Sequence, residues 1–231
     1  MNEWPRIEVA GENAVIVYCG DTISETVNER VRLLDRTVRK RLGKGLLDTI
    51  ASYASILIIY RPNHLNATLC RELIQESLEQ VKDPPLLEHA GRLIALPVWY
   101  GCDAGEDLAR LAEAKGLATE EVVQIHQARE YRAYAIGFAP GFAYLGEVDE
   151  RIATPRMATP RQKVPRGAVG IADHQTAVYP APSPGGWNLI GRCPLAMFDL
   201  HAAEPMPVKV GDRVRFEAID RTTYLELGGT A

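Results

Sequence analysis

Three Pro-Arg pairs five residues apart, Pro155-Arg156, Pro160-Arg161 and Pro165-Arg166, lie in a stretch that holds no carboxylate. Guanidinium groups offer a planar, two-pronged face to carboxylate or phosphoryl oxygens, so this pattern is the chemistry of an anion site. Each proline fixes φ and removes a backbone donor, which leaves an extended segment with turns rather than a continuous helix or a central strand. Residues five apart on a regular strand point to opposite faces, so the arginines meet on one ligand only if the chain bends between them. Gly146 before the stretch and Gly167 and Gly170 after it permit such bends. The alternative is that individual arginines pair with acidic residues from elsewhere in the chain.

Charge is distributed accordingly. Residues 151–198 carry six cations (Arg151, Arg156, Arg161, Lys163, Arg166, Arg192) against one acid, Asp173, which leaves +5 there and −9 elsewhere in a chain of net charge −4. A basic patch on an acidic protein concentrates small anions instead of binding polyanions, so phosphate or carboxylate ligands fit and nucleic acid does not. The same region is dense in turn residues: 137–194 holds eight of the nineteen Gly and eight of the fifteen Pro. Phe138, Phe142, Tyr144, Tyr179 and Trp187 are interleaved there, a composition that builds rigid loops with amides and ring faces around a cleft.

A general base is harder to find. His126 and His174 titrate in the useful range, and Asp173 or Glu147 can orient or replace them, although a lone histidine serves structure as readily as proton transfer. The four cysteines, at 19, 70, 102 and 193, show neither CxxC pairing nor a histidine at metal-ligand spacing, so no metal is expected and the thiols read as reduced. Cys193 sits beside Arg192, where a thiolate would be favoured, but nothing else there marks a nucleophile.

The elements that must position these groups fall into two parts. At 231 residues the chain can hold one large domain or two small ones. Strands at 6–9 and 14–18 flank the turn Gly11-Glu12-Asn13, and a helix capped by Thr22 with Glu25 buries Ile23, Val27, Val31, Leu34, Val38 and Leu42 before Gly43 ends it. Strands at 48–53 and 55–60 and a helix carrying Leu65, Leu69, Leu73, Ile74, Leu78 and Val81 complete an α+β domain over 1–85. The break is Val81-Lys82-Asp83-Pro84-Pro85. Over 86–231 a strand at 92–99 and helices at 106–115 and, after a Thr119 cap, to about 126 lead into β structure. The expected strands are 130–138, 168–172, 176–180, 187–191, 195–200, 206–210, 213–218 and 222–227, with a hairpin around Gly211-Asp212. Many short strands separated by Gly and Pro predict a closed or nearly closed barrel. No run of apolar residues reaches membrane-spanning length and no signal peptide is visible at the N-terminus, which predicts a cytoplasmic protein.

Long motifs carry a resemblance. His126, the run Gly137-Phe138-Ala139-Pro140-Gly141-Phe142-Ala143-Tyr144-Leu145-Gly146, the Pro-Arg triplet, Val164 to Val169, Gln175-Thr176, Tyr179-Pro180 and Ser183 to Arg192 resemble the signature of the B subunit of bacterial 5-oxoprolinase. That family is also labelled allophanate hydrolase subunit 1 and includes a sporulation-kinase inhibitor; the match is close after residue 92 and weaker before it. The resemblance implies a small α/β domain followed by a cyclophilin-like β-barrel, and work in a complex. In that complex the B subunit pairs tightly with the C subunit, and together with the A subunit they open 5-oxo-L-proline to L-glutamate using ATP. Two departures stand out, Glu147-Val148 after Gly146 in place of a second Gly and Leu, and Arg166 where a small residue is commoner.

Opening an unstrained lactam is slow because an amide is a poor electrophile, so phosphorylating the carbonyl oxygen first explains the use of ATP; that step needs charge neutralisation. His126, Arg161 and Lys163 form the expected catalytic set. Phe138, Pro140, Gly141, Tyr144, Arg156, Arg166, Gln175, Tyr179, Gly185, Gly186, Trp187 and Arg192 form the expected substrate- and anion-binding set. The chain has no GxxxxGK[ST] loop, so any ATP site is unconventional or shared with a partner subunit. Two other functions compete: a regulatory binder that inhibits a sensor histidine kinase, from the family, and a prolyl isomerase, from fold analogy alone.

Overall fold

The computed structural model describes residues 4–22, 24–81 and 91–230, so Ile23 and the expected linker from Lys82 to Pro85 lie outside the described residues. The chain divides into two compact units, Met1–Ala90 and Gly91–Ala231.

The first unit is a four-stranded antiparallel sheet with two helices. Strands β1 (Arg6–Gly11), β2 (Ala14–Tyr18), β3 (Leu46–Ala51) and β4 (Ser55–Tyr60) lie in the order β1-β2-β4-β3. Strict alternation along β2 and β4 puts Val15, Val17, Ile56, Ile58 and Tyr60 into one core with Val31, Leu34, Val38 and Leu42 of α1 (Glu25–Leu42) and Cys70, Ile74 and Leu78 of α2 (Ala67–Gln80). The cap of α1 is Ser24, whose hydroxyl accepts from Val27 N, and not Thr22 as the sequence led us to expect. At the other end Gly43 takes φ 48° and its N–H reaches Arg39 O, as a helix-ending glycine does. Asn66 caps α2 by accepting from Leu69 N at 2.8 Å.

The second unit is built on seven strands: β5 (Leu93–Tyr100), β6 (Tyr131–Ile136), β7 (Ala143–Gly146), β9 (Ala168–Ala172), β10 (Gln175–Val178), β12 (Asn188–Arg192) and β13 (Arg213–Ile219). They close into a barrel in the order β10-β7-β6-β13-β5-β12-β9. A separate two-stranded ribbon joins β8 (Arg161–Val164) to β11 (Ser183–Gly185). Helices α3 (Leu108–Lys115) and α4 (Thr119–Gln127) follow β5, and their Leu108, Leu111, Val122 and Ile125 join Leu96, Val98, Tyr131, Val169, Ile190 and Phe216 in the main core. Thr119 begins α4 instead of capping it; Glu121 bonds back to Ala118 N at 2.8 Å.

Three expectations fail here. The Gly211-Asp212 turn exists, but residues 206–210 form no strand, and β13 runs parallel to β5, Arg213 opposite Leu93, instead of folding back on a hairpin. Residues 195–200 are likewise irregular. The stretch 222–227 is mostly helix, α5 (Arg221–Glu226), because Asp220 caps it by accepting from Thr223 N at 2.7 Å. No helix among the described residues is long and apolar enough to cross a membrane.

Candidate functional site

The aromatic residues of the motif converge. Phe142, at the end of the β6–β7 loop, is buried, with Tyr144, Tyr179 and Trp187 around it at ring-centroid distances of 4.9, 5.3 and 5.5 Å. Phe138 approaches the same ring at 5.3 Å but is 62% exposed. Edge-to-face packing of this kind fixes ring orientation as well as burying area. The Arg156 guanidinium lies 5.8 Å from the centre of Trp187, within cation–π range. Burial pushes the Tyr179 phenol up to about 12, so it stays protonated at neutral pH, although a hydrogen bond with the Trp187 backbone and the charge of Arg156 pull the other way.

Backbone geometry explains the glycines. In the loop, Gly137 N donates to Phe142 O and Phe142 N to Ala139 O, while Phe138 is held at φ 68°, a conformation costly for a bulky L-residue. Gly141, at φ 83°, has no room for a side chain: a Cβ would lie 2.2 Å from Met197 O. A Cβ on Gly185 would meet Tyr179 Oη at 2.4 Å. The Pro-Arg segment is stitched to this floor by Met157 N donating to Gly186 O at 2.7 Å and by Asn188 Nδ2 donating to Pro155 O at 2.9 Å.

The arginines do not act as a trio. Arg161, with a side chain 19% exposed, gives Nη2 to both oxygens of the buried Asp107 at 2.8 Å, Nε to Glu106 at 3.3 Å and Nη1 to Trp187 O at 3.4 Å. Asp107 also accepts from Leu189 N at 2.7 Å and from Arg110, whose Nη2 reaches Asn188 Oδ1. Burial raises the Asp107 pKa, but the Arg161 bond, the Leu189 amide and Arg110 outweigh it and hold the carboxyl below its usual range. Asp107 carried no signal in the sequence, which put it inside the helix expected at 106–115; the structure places it just before α3. Arg151 is paired with Asp149 at 2.9 Å. Arg166 instead lines a separate hollow with Pro140 and Pro180, and Lys163 stands exposed on β8.

His126 and Arg192 make their contacts away from the aromatic cluster. His126 is fully buried on α4. Thr176 Oγ1 spends its hydrogen on Gly170 O at 3.0 Å, so it accepts from His126 Nε2–H at 3.0 Å, and Nδ1 accepts from Tyr100 Oη–H at 2.8 Å. Burial lowers its pKa to about 3, so the ring is neutral and enclosed by its own hydrogen-bonded chain. Gln175 starts β10 opposite Gly146 and Ala172, and Arg192 reaches Thr230 O at 3.3 Å. Burial pushes the Cys193 thiol up to about 11, against the thiolate that Arg192 would favour. Among the described residues no three His, Cys, Asp or Glu side chains gather as a metal site would need.

Comparison with known proteins identifies the family of the chain. Residues 5–208 match the family described as the carboxyltransferase domain, subdomain C and D. The 5-oxoprolinase B subunit of Bacillus subtilis (strain 168) is 36% identical over 95% of both chains. The crystal structure of TTHA0988 superposes with a TM-score of 0.78 at 37% identity, over 90% of this chain but only 40% of that one. The K. lactis urea amidolyase shares the fold, with a TM-score of 0.74 at 17% identity, over 96% of this chain and 15% of that one. With a closed barrel and similarity along nearly its whole length, the chain belongs to the family of 5-oxoprolinase B subunits, built on carboxyltransferase subdomains C and D.

Proposed function

We propose that this chain is one component of an ATP-dependent amidohydrolase that opens 5-oxo-L-proline to L-glutamate together with the C and A subunits. The observation that carries the reading is the 36% identity to a 5-oxoprolinase B subunit over 95% of both chains. The exposed ring of Phe138 and the exposed guanidinium of Arg156, both carried by the aromatic cluster, are compatible with it: a lactam ring packs on Phe138 while its carboxylate meets Arg156.

The division of labour follows from which charges are spent. Arg161 neutralises Asp107 and fixes the Pro-Arg segment, so its role is positioning, while Arg156 and Lys163 make no ion pair among the described residues and are available to an anion. His126, neutral and enclosed, braces the barrel; in this reading the general base comes from another subunit. The sequence has no GxxxxGK[ST] motif, and in this reading the nucleotide is shared with or held by a partner. When bound, ATP supplies the phosphoryl group that activates the lactam oxygen, and this chain's cations stabilise the charge that develops.

The test is omission. Purified A and C subunits with this chain should release ADP and glutamate only when 5-oxoproline is present, and leaving out this chain should abolish turnover. Release of ADP that ignores 5-oxoproline, or unchanged turnover without this chain, would overturn the proposal.

A further inference from the structure

Arg156 is exposed, and a long exposed side chain on an irregular segment ordinarily samples many positions. Here the backbone on either side of it is pinned. Pro155 O accepts from Asn188 Nδ2 at 2.9 Å, and Met157 N donates to Gly186 O at 2.7 Å. Between those two bonds the Arg156 guanidinium lies 5.8 Å from the centre of the Trp187 ring. The tripeptide Pro155-Arg156-Met157 is therefore held against Gly186-Trp187-Asn188 at three successive points, the middle one being the cation itself.

Asn188 is 1% exposed, and a buried amide is costly unless its polar atoms find partners. Nδ2 gives its two hydrogens to two carbonyls, Pro155 O and, at 3.1 Å, Ile171 O of β9, while Oδ1 accepts from Arg110 Nη2 at 2.7 Å. These partners fix which way the amide faces, since turning it over would set its oxygen against two carbonyls and its NH2 against a guanidinium. Leu189 and Ile190, the next residues of β12, are buried and apolar, so the barrel accepts apolar side chains along this strand. What the amide adds is a bond to a segment outside the barrel strands. Arg110 also reaches Asp107, the acid that holds Arg161, so one connected set of hydrogen bonds fixes the segment at both 155 and 161. That set spends Arg161 on holding the segment and leaves Arg156 without an ion pair among the described residues.

We propose that Asn188 is a positioning residue for the substrate: by holding Pro155 O it sets the direction in which Arg156 leaves the segment, and so presents the guanidinium to the substrate's carboxylate. This rests on the reading of Arg156 as the partner of that carboxylate.

The test is a double-mutant cycle on the steady-state kinetics of the assembled enzyme with 5-oxoproline. A carboxylate that takes no part in the chemistry is bound alike in ground and transition states, so losing its partner raises KM and spares kcat. Asn188→Ala should accordingly raise KM about fivefold, with kcat within about twofold of wild type. In the Arg156→Ala background the same change should add less than about twofold, because the group it positions is gone. Asn188→Asp keeps the shape, but its carboxylate has no hydrogen to give; its KM relative to wild type should fall on acidification, as the protonated acid donates to Pro155 O again. Melting curves establish that each variant is folded.

A wild-type KM in Asn188→Ala, losses that multiply in the double variant, or an Asn188→Asp defect that ignores pH would each overturn the positioning role and leave the substrate site at Arg156 standing. An Arg156→Ala enzyme with unchanged KM would overturn that site and the inference with it. If neither Asn188 variant folds, the amide serves the fold alone and the inference is overturned.

Discussion

Asp107 holds Arg161 through both carboxylate oxygens, each 2.8 Å from Nη2, and this pair decides what the Pro-Arg segment can do. The most central of the three arginines is committed to an internal acid 54 residues earlier in the chain. Its charge is spent on architecture, so the segment presents Arg156 and Arg166 outward while Arg161 anchors it from behind.

Removing one partner of a buried pair strands the other. Asp107→Ala should therefore cost about 3–5 kcal/mol of stability, and the double variant with Arg161→Ala less than the sum of the singles, measured by urea unfolding. Additive losses would mean that the pair contributes nothing as a pair. The Asp107 carboxyl is held below its ordinary pKa, so its stabilising effect is complete above about pH 4, the unfolded value, and fades as pH falls further.

His126 has the opposite chemistry but the same sign. Its folded pKa of about 3 lies below the roughly 6.5 of an unfolded histidine, so the unfolded chain binds the extra proton between those values. Stability should be full above pH 6.5 or so and decline on acidification by up to about 1.4 kcal/mol per pH unit. In NMR of the ring nitrogens the imidazole should appear as the Nε2–H tautomer and show no titration from about pH 5 to 8. A ring that titrates in that range would reopen its role as a base.

The Gly141 position tests the loop. Gly141→Ala combines a strained φ of 83° with a Cβ 2.2 Å from Met197 O, and should cost about 2 kcal/mol or more. Gly137→Ala, where a Cβ meets nothing within 4 Å and φ is not in the left-handed region, should be mild by comparison.

Local patterns were the legible part of the sequence. The spacing of Val31, Leu34, Val38 and Leu42 located α1 and its buried face, yet the cap was misjudged by two residues because Thr22 and Ser24 both suit the role and only the Ser24 to Val27 bond distinguishes them. The many short Gly- and Pro-bounded strands announced a barrel. What they did not announce was long-range pairing: β13 finds its parallel partner β5 120 residues away, so the apparent hairpin at Gly211-Asp212 was a turn without a second arm. The same limit applies at the site. Clustered arginines and aromatics were visible, and Phe138, Tyr144, Tyr179, Trp187 and Arg156 do come together. That Asp107 would claim Arg161, and that the barrel would enclose His126, depended on tertiary contacts that no spacing rule encodes.

The most direct measurement compares two arginines in the assembled enzyme, by kcat/KM for 5-oxoproline. Arg156→Ala, which removes the cation over Trp187, should lower it about tenfold or more, as expected for loss of a charged hydrogen-bond partner. Arg151→Ala, whose charge is taken by Asp149, should leave it nearly unchanged. Equal effects of the two would show that the basic stretch acts only as a diffuse field, and would contradict a substrate site at Arg156.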